Sequence, residues 1–122
     1  NEAPAAIIRN GKVFIAYSAS ATDHTYKIGL LWANADADLL DGYSWTKLPD
    51  PVFATSEENQ QYGPGHNSFT VDETGEHDLI VYHARPTMAN EGDPLDNPNR
   101  HARVQRFEWD ENGFPVFGVP VK

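Results

Sequence analysis

The chain has 122 residues, of which 39% are apolar, enough for one small domain with its own core. Eighteen acidic against nine basic residues give a formal net charge of -9. That balance argues against a nucleic acid or an anionic membrane as partner, since each needs a basic face, whereas a neutral substrate such as a sugar is compatible with it. There is no cysteine, so neither a disulfide nor a thiolate metal site is possible and the redox compartment stays open. No apolar run approaches ~20 residues, so no membrane-spanning helix is expected. Residues 1–10 lack the basic start and apolar centre of a signal peptide. A start at Asn1 rather than methionine reads as a processed or excised end.

In chain order, Ala5 to Arg9 and Lys12 to Ser18 are β-forming runs separated by Asn10-Gly11. That pair predicts a hairpin, because both central positions of a tight type I′ turn need positive φ. Tyr26 to Ala33 reads as a third strand, rich in β-formers. Asp36 to Tyr43 reads as a loop with one helical turn at Ala37 to Leu40, and Ser44 to Leu48 as a short fourth strand stopped by Pro49. Tyr62 to Gly65 reads as a tight loop made by two glycines and a proline, delivering His66 to the mouth of a strand that runs to Val71. Strands follow at Asp78 to Ala84, at Ala102 to Trp109 after a long polar connection, and at Phe114 to Phe117.

Val13 to Ala19 and Asp78 to Ala84 superpose with Tyr17 on Tyr82 and Ala19 on Ala84, an offset of 82 − 17 = 65 residues. Two successive four-stranded antiparallel units without a long helix predict an all-β chain built as two blades of a β-propeller, residues 1–61 and 62–122. A single eight-stranded sandwich has the same strand count but no need of a repeat. Two blades do not close a ring, so the ring is expected to be incomplete, with exposed blade faces that favour missing N-terminal blades or self-association.

Equivalent places in successive blades converge on the propeller axis. Glu2, at the mouth of the first inner strand, and His66, at the mouth of the second unit's, are therefore expected at one cavity. Taken singly, Glu2 reads as a solvated carboxylate at a chain end and His66 as a turn histidine capping a carbonyl. Arg103 either faces solvent or turns its guanidinium to the cavity to orient a carboxylate or a sugar hydroxyl. Trp32, Trp45 and Trp109 read as packing residues of their strands. No metalloprotease-type His pair or phosphate-cradling glycine loop occurs.

The blocks Asn1-Glu2-Ala3-Pro4-Ala5, Tyr17-Ser18-Ala19-Ser20, Ser44-Trp45-Thr46-Lys47, Tyr62-Gly63-Pro64-Gly65-His66-Asn67-Ser68-Phe69, Val81-Tyr82-His83-Ala84 and Arg103-Val104-Gln105 together resemble glycoside hydrolase family 43. The similarity is greatest to the C-terminal part of the catalytic domain in its α-L-arabinofuranosidases. It implies a five-bladed propeller that hydrolyses glycosidic bonds with inversion, acting on α-L-arabinofuranosyl or β-D-xylosyl ends of plant polysaccharides, and secreted or periplasmic. It also implies that Glu2 is the general acid, in a block where the family has glycine in place of Ala3. His66 would lie near an axial ion, often calcium, and Arg103 would reach the substrate. An inverting mechanism needs an acid and a base ~6.5–9.5 Å apart. The family's base and its pKa-modulating aspartate come from earlier blades and have no counterpart here. The chain alone is therefore expected to be inactive, and a non-catalytic carbohydrate-binding or structural β module is the alternative.

Overall fold

A computed structural model of the chain describes residues 1–89 and 91–122. Strands β1 (Glu2–Arg9), β2 (Lys12–Ala19), β3 (Lys27–Asn34) and β4 (Thr46–Lys47) form one antiparallel sheet in that order. Strands β5 (Tyr62–Val71), β6 (Asp78–Arg85) and β7 (His101–Arg106) form a second, and β8 (Glu108–Trp109) and β9 (Pro115–Val116) a small ribbon. The all-β, blade-like reading holds. No helix among the described residues is long and apolar enough to cross a membrane.

The hairpin forms where Asn10-Gly11 predicts it. Asn10 and Gly11 have φ of 56° and 73°, and Arg9 pairs with Lys12 across the turn. Other boundaries differ from expectation for local reasons. The long strand expected to Trp109 divides at Phe107, whose ring is 3% exposed and whose N–H donates to the Asp78 carbonyl at 3.1 Å. The helical turn lies at Gly42–Ser44 instead of residues 37–40, because the Asp41 carboxylate accepts the Tyr43 N–H at 2.9 Å and starts it there. Trp45 thereby falls outside β4, with its indole donating to the Leu39 carbonyl at 3.0 Å.

The largest correction concerns the glycine-rich stretch. Tyr62 to Gly65 is not a loop ahead of a strand but the first part of β5, which is bulged. The pairing of β5 with β6 shifts between Tyr62 and Gly65 and again between Gly65 and Ser68, with Gly63 at φ 59° and His66 at φ 48°. Positive φ at these positions bends the strand without ending it.

The two sheets share one core. Phe14, Ile28 and Leu30 from the first, with Phe53 from the connection after β4, meet Ile80 and Tyr82 from the second, with Phe107 after β7 and Phe117 after β9, all of them buried. Phe53 packs edge-on against Tyr82 with ring centroids 4.9 Å apart, and Phe14 sits between Trp109 and Phe114 at 5.5 and 5.4 Å. Trp32 packs edge-on against Phe114, so Trp32 and Trp109 are packing residues as expected. At one end of the interface Arg9 grips Asp78 with two hydrogen bonds, of 2.7 and 3.2 Å, while the Trp109 indole donates to the same carboxylate at 2.8 Å. An open hollow of about 420 Å³ lies there, lined by Ala6 to Arg9 of β1 and Phe69 to Val71 of β5. The inner strands β1 and β5 therefore lie side by side and run the same way, which brings their first residues together at the opposite end.

Candidate functional site

Glu2 pairs with Ser18 at the start of β1, and the register shifts between Glu2 and Ala5. This bulge places Ala3 at φ 52°, in the left-handed region where a Cβ costs about 1–2 kcal/mol. A glycine fits that backbone without strain, and the chain keeps the bulge with alanine. The carboxyl of Glu2 is thus presented by a distorted strand end, as His66 is in β5. A backbone-to-side-chain hydrogen bond joins the two strand mouths: the His66 N–H donates to Ser18 Oγ at 2.7 Å, and Ser18 is fully buried. Glu2 and His66 are brought to the same end of the molecule.

Between them stands Tyr26, a residue that the sequence marks only as the start of a strand. It precedes β3, is 2% exposed, and its hydroxyl donates to Glu2 Oε1 at 2.6 Å. Its ring stacks on His83 with centroids 5.6 Å apart and planes 8° from parallel, and the His66 ring lies 6.4 Å from that of His83. The glycine motif makes room for this ring. A Cβ on Gly65 would overlap Tyr26 Cε2 and Cδ2, and one on Gly63 would overlap the Asp23 carbonyl that accepts the Tyr26 N–H at 3.2 Å. Paired glycines at 63 and 65 are the signal that could have announced a large side chain laid across β5.

The electrostatics of the group follow from burial. Burial, reinforced by the hydrogen bond to Glu2 and that carboxylate's charge, pushes the Tyr26 phenol up to about 12, so it keeps its proton and donates at any ordinary pH. Burial, then the positive charges of Arg100, His66 and Arg85, lowers His83 to about 4. His83 is accordingly a neutral ring against Tyr26, and its Nδ1 is buried without a hydrogen-bond partner among the described residues. Arg85 is 2% exposed and donates from Nη2 to the carbonyls of Thr22 at 3.1 Å and Pro94 at 2.6 Å. It ties the connection after β2 to the one after β6, on the flank of the cluster.

Arg103 belongs to β7 of the second sheet. It lies opposite Tyr82 in the β6–β7 register, and its guanidinium donates to Gln61 Oε1 at 3.1 Å and to the Ala102 carbonyl at 3.2 Å. Its charge acts on Tyr82, whereas that of Arg100, in the connection just before β7, acts on both Tyr26 and His83. Among the described residues no group of three or more His, Asp or Glu side chains could hold a metal ion. His66 offers one imidazole, and calcium takes about six to eight oxygen ligands. The residues present do not by themselves fit that ion.

A carboxyl fixed at the common mouth of two antiparallel sheets suits the acid chemistry of glycoside hydrolases. Comparison with known proteins is more specific: residues 1–115 match the family described as glycosyl hydrolases family 43, and the chain belongs to that family. It is 57% identical over 121 residues to the extracellular exo-α-(1→5)-L-arabinofuranosidase of Streptomyces avermitilis and 53% identical to α-L-arabinofuranosidase 43 of Humicola insolens. Each alignment covers 99% of this chain and 25% of the relative. Among solved structures, the α-L-arabinofuranosidase from Lactobacillus brevis superposes with a TM-score of 0.97 at 55% identity, over 99% of this chain and 37% of its own. A thermostable family-43 glycoside hydrolase does so with 0.76 at 30% identity. The chain thus spans about a quarter of the length of the curated relatives it matches.

Proposed function

We propose that the chain is the part of an inverting α-L-arabinofuranosidase that carries the general acid, Glu2, and that the whole enzyme removes terminal α-L-arabinofuranosyl groups from arabinose-containing oligo- and polysaccharides. The observation that carries this reading is the 2.6 Å hydrogen bond from the Tyr26 hydroxyl to Glu2 Oε1 at the mouth of the inner strand. It separates Glu2 from a freely solvated carboxylate: one oxygen is engaged, and Oε2 is left to face a substrate. The kinship with named arabinofuranosidases supports the sugar, and β-D-xylosyl ends are the second choice. The extracellular relative supports secretion.

In this mechanism Glu2 gives its proton to the glycosidic oxygen as the bond to the anomeric carbon breaks, and a water on the opposite face attacks that carbon. The base that takes the water's proton must be a second carboxylate. Among the described residues, no carboxylate side chain other than Glu2 is hydrogen bonded to Tyr26, His66 or His83. This reading assigns the base and any pKa-modulating aspartate to blades of a five-bladed ring outside this chain, and an ion near His66 to the closed ring. Arg103 enters the proposal only as a wall residue reaching substrate from the second sheet.

The 122-residue chain alone is expected not to hydrolyse an aryl α-L-arabinofuranoside, while the whole enzyme does and loses the activity in Glu2→Gln. Turnover by the isolated chain that disappears in the same variant overturns the division of acid and base. Full activity of Glu2→Gln in the whole enzyme overturns the assignment of the acid.

A further inference from the structure

We propose that Tyr26 is the positioning residue of the general acid, a phenol whose hydroxyl holds Glu2 Oε1 so that Oε2 delivers the proton to the leaving group. This rests on the reading of Glu2 as the acid and extends it to a residue that neither the motif blocks nor the relatives' names single out.

The argument is geometric. Glu2 itself is an exposed side chain on a bulged strand end, and nothing in β1 restrains its carboxyl. The restraint comes from the buried Tyr26, held in three directions: its N–H is bonded to the Asp23 carbonyl at 3.2 Å, its ring is stacked on His83, and β5 offers it the space of Gly65. Ser18, the strand partner of Glu2, is a further polar neighbour of the phenol. A carboxyl pinned at one oxygen has a single oxygen left for proton transfer, and its orientation is set before substrate arrives. In the step itself the proton moves from Oε2 to the glycosidic oxygen, whose bonding pair to the anomeric carbon becomes a lone pair of the departing alcohol. The carboxylate so formed goes on accepting from Tyr26, which keeps its own proton. The attacking water is deprotonated by the carboxylate base supplied outside this chain.

The test is the dependence of Tyr26→Phe on the leaving group, measured in the whole enzyme. The variant keeps the ring and its stack and removes one oxygen. An alkyl or sugar leaving group needs the proton, and a dinitrophenolate does not. On methyl α-L-arabinofuranoside kcat is expected to fall about 10–100-fold with KM within about twofold, while kcat on the 2,4-dinitrophenyl arabinofuranoside stays within about threefold. An equal fall on both substrates makes Tyr26 merely structural, and no fall on either makes the hydrogen bond idle; each overturns the proposal. Glu2→Gln is run on the same pair. If it lacks the leaving-group dependence, Glu2 is not the acid and the functional reading itself fails. If it shows the dependence and Tyr26→Phe does not, the acid stands and only the positioning role is lost.

Discussion

Gly65→Ala tests whether the glycine motif is a seat for Tyr26. The new Cβ would overlap Cε2 and Cδ2 of that ring and come to 3.1 Å from Ser18 Oγ. Tyr26 is 2% exposed between β5 and His83, so it has no free volume to retreat into. Overpacking of this kind costs about 1–3 kcal/mol. A displaced ring also gives up its bond to Glu2, and because Glu2 is exposed that adds only about 1 kcal/mol. The sum, about 2–4 kcal/mol, corresponds to a fall in Tm on the order of 10 °C for a domain of this size. Thermal and urea unfolding followed by circular dichroism measure it. Gly42→Ala serves as the control, because its Cβ meets nothing within 4 Å, and a change within about 0.5 kcal/mol is expected. In a Tyr26→Ala background the cost of Gly65→Ala should shrink to below about 1 kcal/mol, the signature of two groups in direct contact. A Gly65→Ala variant as stable as the parent, or an equal cost with and without the tyrosine ring, refutes the seat.

Two further outcomes follow from the same end of the molecule. His83 is neutral in the fold down to about pH 4, whereas in the unfolded chain it takes a proton near its ordinary 6.5. The unfolded state then binds more protons between these values, so stability is full above about pH 6.5 and declines as pH falls towards 4. At about 1.4 kcal/mol per unit, and reduced for solvent screening of a partly exposed ring, the loss is about 1–2 kcal/mol. Asp23 and Asp72, held below the usual carboxylate range by their hydrogen bonds with Thr25 and Thr74, lose their contribution only at lower pH. Unfolding curves of parent and His83→Gln that keep the same separation from pH 7 to pH 4 would exclude this origin. Ala3→Gly should raise stability by about 0.5–1 kcal/mol, since Ala3 sits at φ 52° where only its Cβ is strained. A loss of stability in that variant would mean that the methyl is packed and that the bulge carries no strain.

Much of this was legible before any coordinates, and for identifiable reasons. Asn10-Gly11 announces its hairpin because the turn demands positive φ at both residues and few other pairs provide it. The alternation in Val13 to Ala19 and its echo 65 residues later mark the two sheets, because side-chain direction has period two in any strand. The stretch from Tyr62 to His66 was misleading because glycine and positive φ serve turns and strand bulges equally. Only the tyrosine lying across it tells them apart, and that residue comes 39 positions earlier than Gly65, by 65 − 26. The neighbours of Arg100 and Arg103 are hidden from the sequence for a similar reason. Strand register decides which arginine faces Tyr82, and neither the start of β7 at His101 nor its end at Arg106 has a local signal.

The position of Glu2 depends on both sheets at once. Its backbone belongs to β1, the phenol that holds it comes from just ahead of β3, and the surface on which that phenol rests is β5 with His83 of β6 behind it. A lone first sheet would leave Tyr26 without its seat, and its hydroxyl would no longer be directed at Oε1. Packing of one sheet on the next therefore does more than bury Phe14, Phe53 and Tyr82: it orients a strand-end carboxylate, the group proposed as the acid. In the proposed mechanism the same logic extends to the base, a carboxylate that strands packed against these would hold on the other side of the sugar. Any change that loosens the sheet interface without touching the site, such as removal of the Asp78 carboxylate that Arg9 and Trp109 share, should reach catalysis through Tyr26 before it unfolds the chain.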